Sequence, residues 1–471
     1  MIRLLLLVVP LSALAGCKTE NKAFCDNMNN AGLQGCPGDA MNGGGCGSDN
    51  DCKMMGFPAC EKTINQGTCE PCTDSNIGVC TGTTPRCESN ACVACADDVQ
   101  DCKGGVCLAT GDCADTGHII HASSSKTMMT TNCGDTAANA CSLNSALAIV
   151  TTTKNVIKLD DPGPFESDTG FVVNTNVTLD ARGAILRRTG GGSNAVVTVN
   201  DNKNLTILGG TIESSQGDGL KCGNNSMLAV YDSTITMNNN TGINGNGCTI
   251  SVTHATISNN SKAPGAALFP GVQVAGGAIT ISRSQILSNR GGGITVNNNA
   301  TFTIVGNMFL SNGDSSGVVG GLQATTTVPG NRFDFNTLSG NTTTAAVAAG
   351  VQCTAPAMSM TAPLTVQNNV IWDNNGPSGT QVSGTCLHAY SDIGTTPVPG
   401  ALTPPNANDF SQNPLFVGSS DLTVMSTSPI RGKANPNSDL GGIASMDILG
   451  VPRTLRPGSG PDLGAYVVPD K

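Results

Sequence analysis

The 471-residue chain carries 34 acidic against 24 basic side chains, a net charge of −10 and a pI near 4.8. No basic stripe is available to neutralise phosphates, which excludes nucleic acid as a partner class. Charged residues are 12% and aromatics 3%, yet Val, Ile and Thr recur through the second half, so the chain reads as folded β-structure punctuated by Gly and Asn.

Residues 1–16 have the layout of a signal peptide: one early cation at Arg3, an apolar run from Leu4 to Ala15, and small residues at the end. The run is too short to span a bilayer. Leu14-Ala15-Gly16-Cys17 resembles the bacterial lipobox, which implies diacylglycerol on the Cys17 thiol and removal of the preceding peptide. Lys18 follows, and resemblance to lipoproteins whose second residue is not Asp implies export to the outer membrane or cell surface, with membrane contact through the lipid.

Cys17 set aside, 20 of the 21 Cys remain, an even number in an oxidising compartment where disulfides persist. Fourteen lie between Cys25 and Cys113. The other six fall as neighbours, Cys133 with Cys141, Cys222 with Cys248 and Cys353 with Cys386, and are candidate disulfides. Cys69-Glu70-Pro71-Cys72 and Cys92-Val93-Ala94-Cys95 have a spacing that a zinc ribbon could use, but export favours disulfides and no metal site is assigned. The stretch has too few large apolar side chains for a core, so covalent staples must order it. The run from Cys92 to Cys102 resembles short Cys-rich repeats in surface proteins of predatory and gliding soil bacteria, which implies a stalk or contact module.

From about Val177 an alternating apolar strand, a two-residue corner and a second short strand recur. The units start at Leu205, Leu228, Ile250, Ile279 and Phe302, and again at Leu364. Such a period demands a solenoid, and the period-2 alternation with abundant Thr, Asn and Gly makes it a β-solenoid rather than a helical one. Right-handedness follows from the preference of parallel crossovers. Asn238, Asn289, Asn312 and Asn374, just after the second strand, read as a stack bonded to one another and to their own turns.

These units resemble the pectate-lyase-like superfamily. Cys141-Ser142-Leu143-Asn144-Ser145-Ala146-Leu147 is similar to the segment that opens many such β-helices, with Asn144 where Arg is usual; the resemblance implies a capping helix pinned by Cys133. Asn413-Pro414-Leu415-Phe416, Ser428-Pro429-Ile430 and Pro461-Asp462-Leu463-Gly464-Ala465-Tyr466 resemble the C-terminal region of the choice-of-anchor Q family, with Val467 in place of the usual Glu. The expected fold is all-β: a right-handed parallel β-helix, a pectin-lyase-like solenoid, behind a small disulfide-rich module. Its organisation is a signal peptide over 1–16, the Cys-rich module over 17–116, a linker and capping helix over 117–150, the β-helix over 151–393 and a closing region over 394–471.

The resemblance implies that an enzyme of this fold would be a polysaccharide lyase or hydrolase, with carboxylates holding calcium or acting as acid and base. Alignment of the units shows no converging carboxylates; Asp218 is the nearest echo. One column does emerge at the fifth position of three units, Asp232, His254 and Arg283, beside a longer loop from Ala263 to Gly271. These three are the weak catalytic candidates, and an exposed charge ladder is the blander reading. His118 and His121 read as solvated linker residues, Arg187 and Arg188 as solvated, and Trp372, the sole Trp, as a sugar platform or a packing residue. The leading expectation is a non-catalytic surface protein that contacts polysaccharide, extracellular matrix or cells without a cofactor. A polysaccharide-cleaving enzyme, with calcium, and a structural envelope component are the alternatives.

Overall fold

The computed structural model describes residues 59–61, 68–72, 80, 84–89, 91–126, 133–262, 268–314, 318–325, 328–354, 364–377, 379–394 and 408–470. Residues 1–16, read above as a signal peptide, Cys17, read as the lipid acceptor, and most of the loop 263–271 lie outside them. Two compact units divide the chain, 1–117 and 118–471.

Among its described residues the first unit holds three short antiparallel pairs: Ala59–Glu61 with Thr68–Glu70, Arg86–Glu88 with Ala91–Val93, and Val106–Cys107 with Cys113–Ala114. Disulfides join Cys72 to Cys87, Cys80 to Cys92, Cys95 to Cys107 and Cys102 to Cys113. The closed loops span 11 to 15 residues, and in chain-entropy terms each such closure stabilises by about 3 kcal/mol. Covalent closure therefore supplies what the scarce apolar side chains cannot.

The second unit is three parallel sheets of eleven, ten and nine strands. From Val156 to Gly384 the chain visits them in that order in each coil, as in Asn204–Leu208, then Thr211–Glu213, then Leu220–Cys222, before Met227–Tyr231 begins the next. Registers align residue for residue, so Leu205, Leu228, Ile250, Ile279 and Phe302 form one inward column. All five are at most 2% exposed, and burying each side chain stabilises by roughly 1.5–3 kcal/mol. The alternation thus places one apolar core along the axis and leaves Thr206, Ser251, Thr280 and Thr303 facing out.

Helix Leu143–Ile149 opens on Ser142, whose hydroxyl accepts from the Ser145 amide at 3.2 Å, and buries Leu143, Ala146 and Leu147 on the core. Asn144 is exposed. The solenoid starts earlier than the 117–150 linker allows, because Ile119–Ala122 already pairs in parallel with Val156–Leu159. Its apolar pattern is too short to stand out in the sequence without its neighbour. The histidines there are engaged: His118 Nδ1 lies 2.6 Å from the Thr153 carbonyl, and His121 Nδ1 2.8 Å from Asp160 Oδ1. The solvated reading of the arginines is also corrected. Arg188 is 3% exposed and donates to the Gly192 carbonyl at 3.0 Å, while Arg187 pairs with Glu213 and Glu166 from the adjacent coils.

Beyond Ile393 the chain runs past the last coil, with the Ile393 amide bonded to the Phe410 carbonyl, and then folds back along the flank. Leu422, Val424, Ile430, Ile448, Leu463 and Ala465 build a second core there against Val305, Met308, Phe335 and Val370, outward residues of the coils. Two aspartates tie this region together. Asp447 accepts from the amides of Leu449, Val451 and Val467; Asp462 accepts from those of Gly432 and Val468 and from Arg456.

Candidate functional site

The Asp232, His254 and Arg283 column is a stack of left-handed residues, with φ of 51°, 55° and 48°. Each ends a strand of the eleven-stranded sheet, where the chain turns sharply toward the ten-stranded one. The coils above and below place Gly209 and Gly306 at the same corner, also at positive φ, so the position is set first by backbone geometry. His254 Nδ1 meets Asp232 Oδ1 at 2.5 Å with both side chains more than 60% exposed. Arg283 turns away to Met446 Sδ, 3.9 Å distant, in the C-terminal region. Two of the three candidates therefore meet, in open solvent, and the third serves a different contact.

The nine-stranded sheet presents the most regular polar surface. Register stacks Thr198, Lys221, Asn244, Gln273, Thr295, Gln323, Gln352 and Ser383 in one outward column. Seven of the eight are amides or hydroxyls. Among the described residues, Gln273, Thr295, Gln323 and Gln352 have no hydrogen bond from their side chains to the protein, and all four are half-buried. Sequence reading missed this ladder because the third strand of each coil is short and follows a corner of variable length.

A cleft of about 520 Å³ lies on the ten-stranded sheet. Its floor is the outward end of three successive strands, Leu310-Ser311, Ser339-Gly340 and Trp372-Asp373, and its wall is Asn413, Phe416 and residues 418–420 of the C-terminal region. Trp372 is half-buried and packs against the second core.

The buried carboxylates are engaged. Asp218 is buried and accepts from the Thr241 amide and Asn244 Nδ2; burial pushes its pKa up against those bonds. Asp334 sits on Arg332 at 2.6 Å and is likewise raised by burial. Asp180 pairs with Arg182 at 2.7 Å. Arg453 is buried over the Phe335 ring at 4.7 Å, and burial lowers its pKa to about 10. Among the described residues, the only trios of metal-capable side chains within 4.8 Å of one another are cysteines, and all six of those sulfurs belong to disulfides. Calcium takes six to eight oxygen ligands, and among the described residues no three carboxylates converge to begin such a set. The solenoid's own cysteines are joined as Cys133–Cys141, Cys222–Cys248 and Cys353–Cys386.

A family model for the right-handed β-helix region matches residues 265–392. Among solved structures, the crystal structure of pectate lyase Pel9A is similar at 13% identity and a TM-score of 0.49, over 74% of this chain and 96% of that one. No curated protein matches the sequence. The family match and the stacked parallel strands define the class: a right-handed parallel β-helix preceded by a disulfide-rich module.

Proposed function

We propose that this protein is an exported surface protein, held to the membrane by lipid on Cys17, that binds extended polysaccharide or matrix glycan along its β-helix without cleaving it. The observation that carries the reading is the outward column from Asn244 to Ser383 on the nine-stranded sheet. Strands stack about 4.8 Å apart, close to the length of one sugar unit in an extended polymer. Each coil then offers one amide or hydroxyl per sugar, and many weak hydrogen bonds add up by avidity on a repeating chain. The engagement of Asp180, Asp218 and Asp334 in structural contacts supports binding over cleavage. The C-terminal motifs, read as the choice-of-anchor Q type, then brace the solenoid while the lipid provides the anchor.

The test uses the chain from Lys18 onward, retained on immobilised polysaccharides. Gln273→Ala, Gln323→Ala and Gln352→Ala should each weaken retention by roughly two- to tenfold, and the triple variant by about their product. A triple variant retained as well as the native chain on every polysaccharide would overturn the reading.

A further inference from the structure

The cleft on the ten-stranded sheet is separate from that ladder, and its chemistry is different. We infer that it is a second binding site, one that takes the sugar rings of an uncharged glycan. The inference rests on the glycan-binding reading for the class of ligand alone; its residues, and its face of the β-helix, are its own.

Three features lead there. First, the only Trp of the chain lies at the cleft, with Phe416 on the opposing wall. Aromatic side chains offer an apolar face on which the C–H side of a sugar ring packs, and Trp offers the largest. Second, Ser311, Ser339, Asn413 and Ser419 surround the aromatics with hydroxyl and amide groups, the mixture that orients a sugar's hydroxyls within a mostly preformed pocket. About 520 Å³ is room for a short run of rings. Third, the lining holds one charged group, the Asp373 carboxylate, and no Lys, Arg or His. A carboxylate accepts strongly from neutral hydroxyls. It repels a uronate, as does the net charge of −10 on the whole chain.

The local backbone shapes the floor of the cleft. Ser311, Gly340 and Asp373 occupy one corner in successive coils with φ of 56°, 63° and 55°. Ser and Asp carry side chains in that strained conformation; Gly340, between them, carries none. A Cβ at Gly340 would meet Ser311 Oγ at 3.5 Å, Leu310 Cδ1 at 3.7 Å and the Ser311 amide nitrogen at 3.9 Å, ordinary contacts. The missing side chain keeps the centre of the cleft open.

Trp372, as the sole Trp, reports on the site directly through its emission. The chain from Lys18 is titrated with cellohexaose, mannohexaose, hexagalacturonate and a glucosamine hexamer, in parallel with retention on polymer beads. At least one neutral hexamer should give a saturable emission change, tighter than either charged one. Gly340→Asn, which suits the left-handed corner and fills the cleft, should weaken that response by about tenfold or more with the melting temperature kept. Asp373→Asn should narrow the preference for the neutral hexamer over hexagalacturonate. The inference fails if no neutral hexamer gives a saturable change, if Gly340→Asn titrates like the native chain, or if a charged hexamer binds more tightly. Polymer retention that persists under any of those outcomes leaves the ladder reading standing and removes the cleft alone.

Discussion

Asn289 and Asn312, one coil apart, are joined by Asn289 Nδ2 donating to Asn312 Oδ1 at 3.0 Å, with both side chains fully buried. The link is one rung of a ladder that runs Asn238, Asn260, Asn289, Asn312, Asn341, Asn374 and ends on Gln381. Asn289 also donates to the Ile257 carbonyl at 2.8 Å and accepts from Asn260. Asn289→Ala therefore leaves a buried donor and a buried carbonyl unpaired. Denaturant unfolding should show a loss of about 2–4 kcal/mol, against less than about 0.5 kcal/mol for an exposed control such as Asn144→Ala.

The exposed pair of Asp232 and His254 leads to the opposite expectation. Ion pairs in open solvent contribute little, about 0–1 kcal/mol. Asp232→Ala and His254→Ala should each leave the melting temperature and polysaccharide retention near the native values. A loss of retention from either change would restore the column as a functional site.

Asp392 predicts how stability depends on pH. Its carboxyl is fully buried, accepts only from the Gln412 amide, and burial raises its pKa to about 7. The folded chain thus holds a proton at Asp392 that the unfolded chain releases near the ordinary carboxylate value. The contribution of this group is fully present below about pH 4 and is lost as pH rises through about 7. Asp392→Asn, which is always neutral, should unfold at nearly the native temperature at pH 4 and at a higher one at pH 8. Parallel melting curves at the two pH values measure this.

Asp462 clamps the C-terminal region, where its carboxylate binds the Gly432 and Val468 amides and Arg456. Asp462→Ala strands the Gly432 and Val468 amides and leaves the half-buried Arg456 with only Asp470 and the Val468 carbonyl. It should cost roughly 3–5 kcal/mol and expose residues 408–470 to limited proteolysis before the coils are cut.

Cys17→Ala should release the protein from membranes in a fractionation of expressing cells, with no change in the fold of the exported chain. Retention in the membrane pellet would contradict the lipid anchor.

Much of the solenoid was legible in the sequence. Leu205, Leu228, Ile250, Ile279 and Phe302 share one phase, and parallel stacking converts equal phase into equal register. Asn238, Asn289, Asn312 and Asn374 were legible as a stack, but Asn260 and Asn341 complete it, and Asn307, Asn336 and Asn369 form a second ladder at the preceding corner. A polar residue at a corner looks the same in sequence whether it faces water or the core. The fifth-position column was found, yet its left-handed backbone was signalled only by Gly209 and Gly306 in the neighbouring units. Least legible was the cleft, whose floor and wall come from segments up to about 100 residues apart, brought together by an apolar seam with no repeat to announce it.

The most direct test of the central claim is to incubate the chain from Lys18 with acidic and neutral polysaccharides, with and without calcium, and to score retention and chain length together. Retention with no shortening of the polymer, independent of calcium, is the predicted result. Release of shortened chains would contradict it and make this β-helix an enzyme.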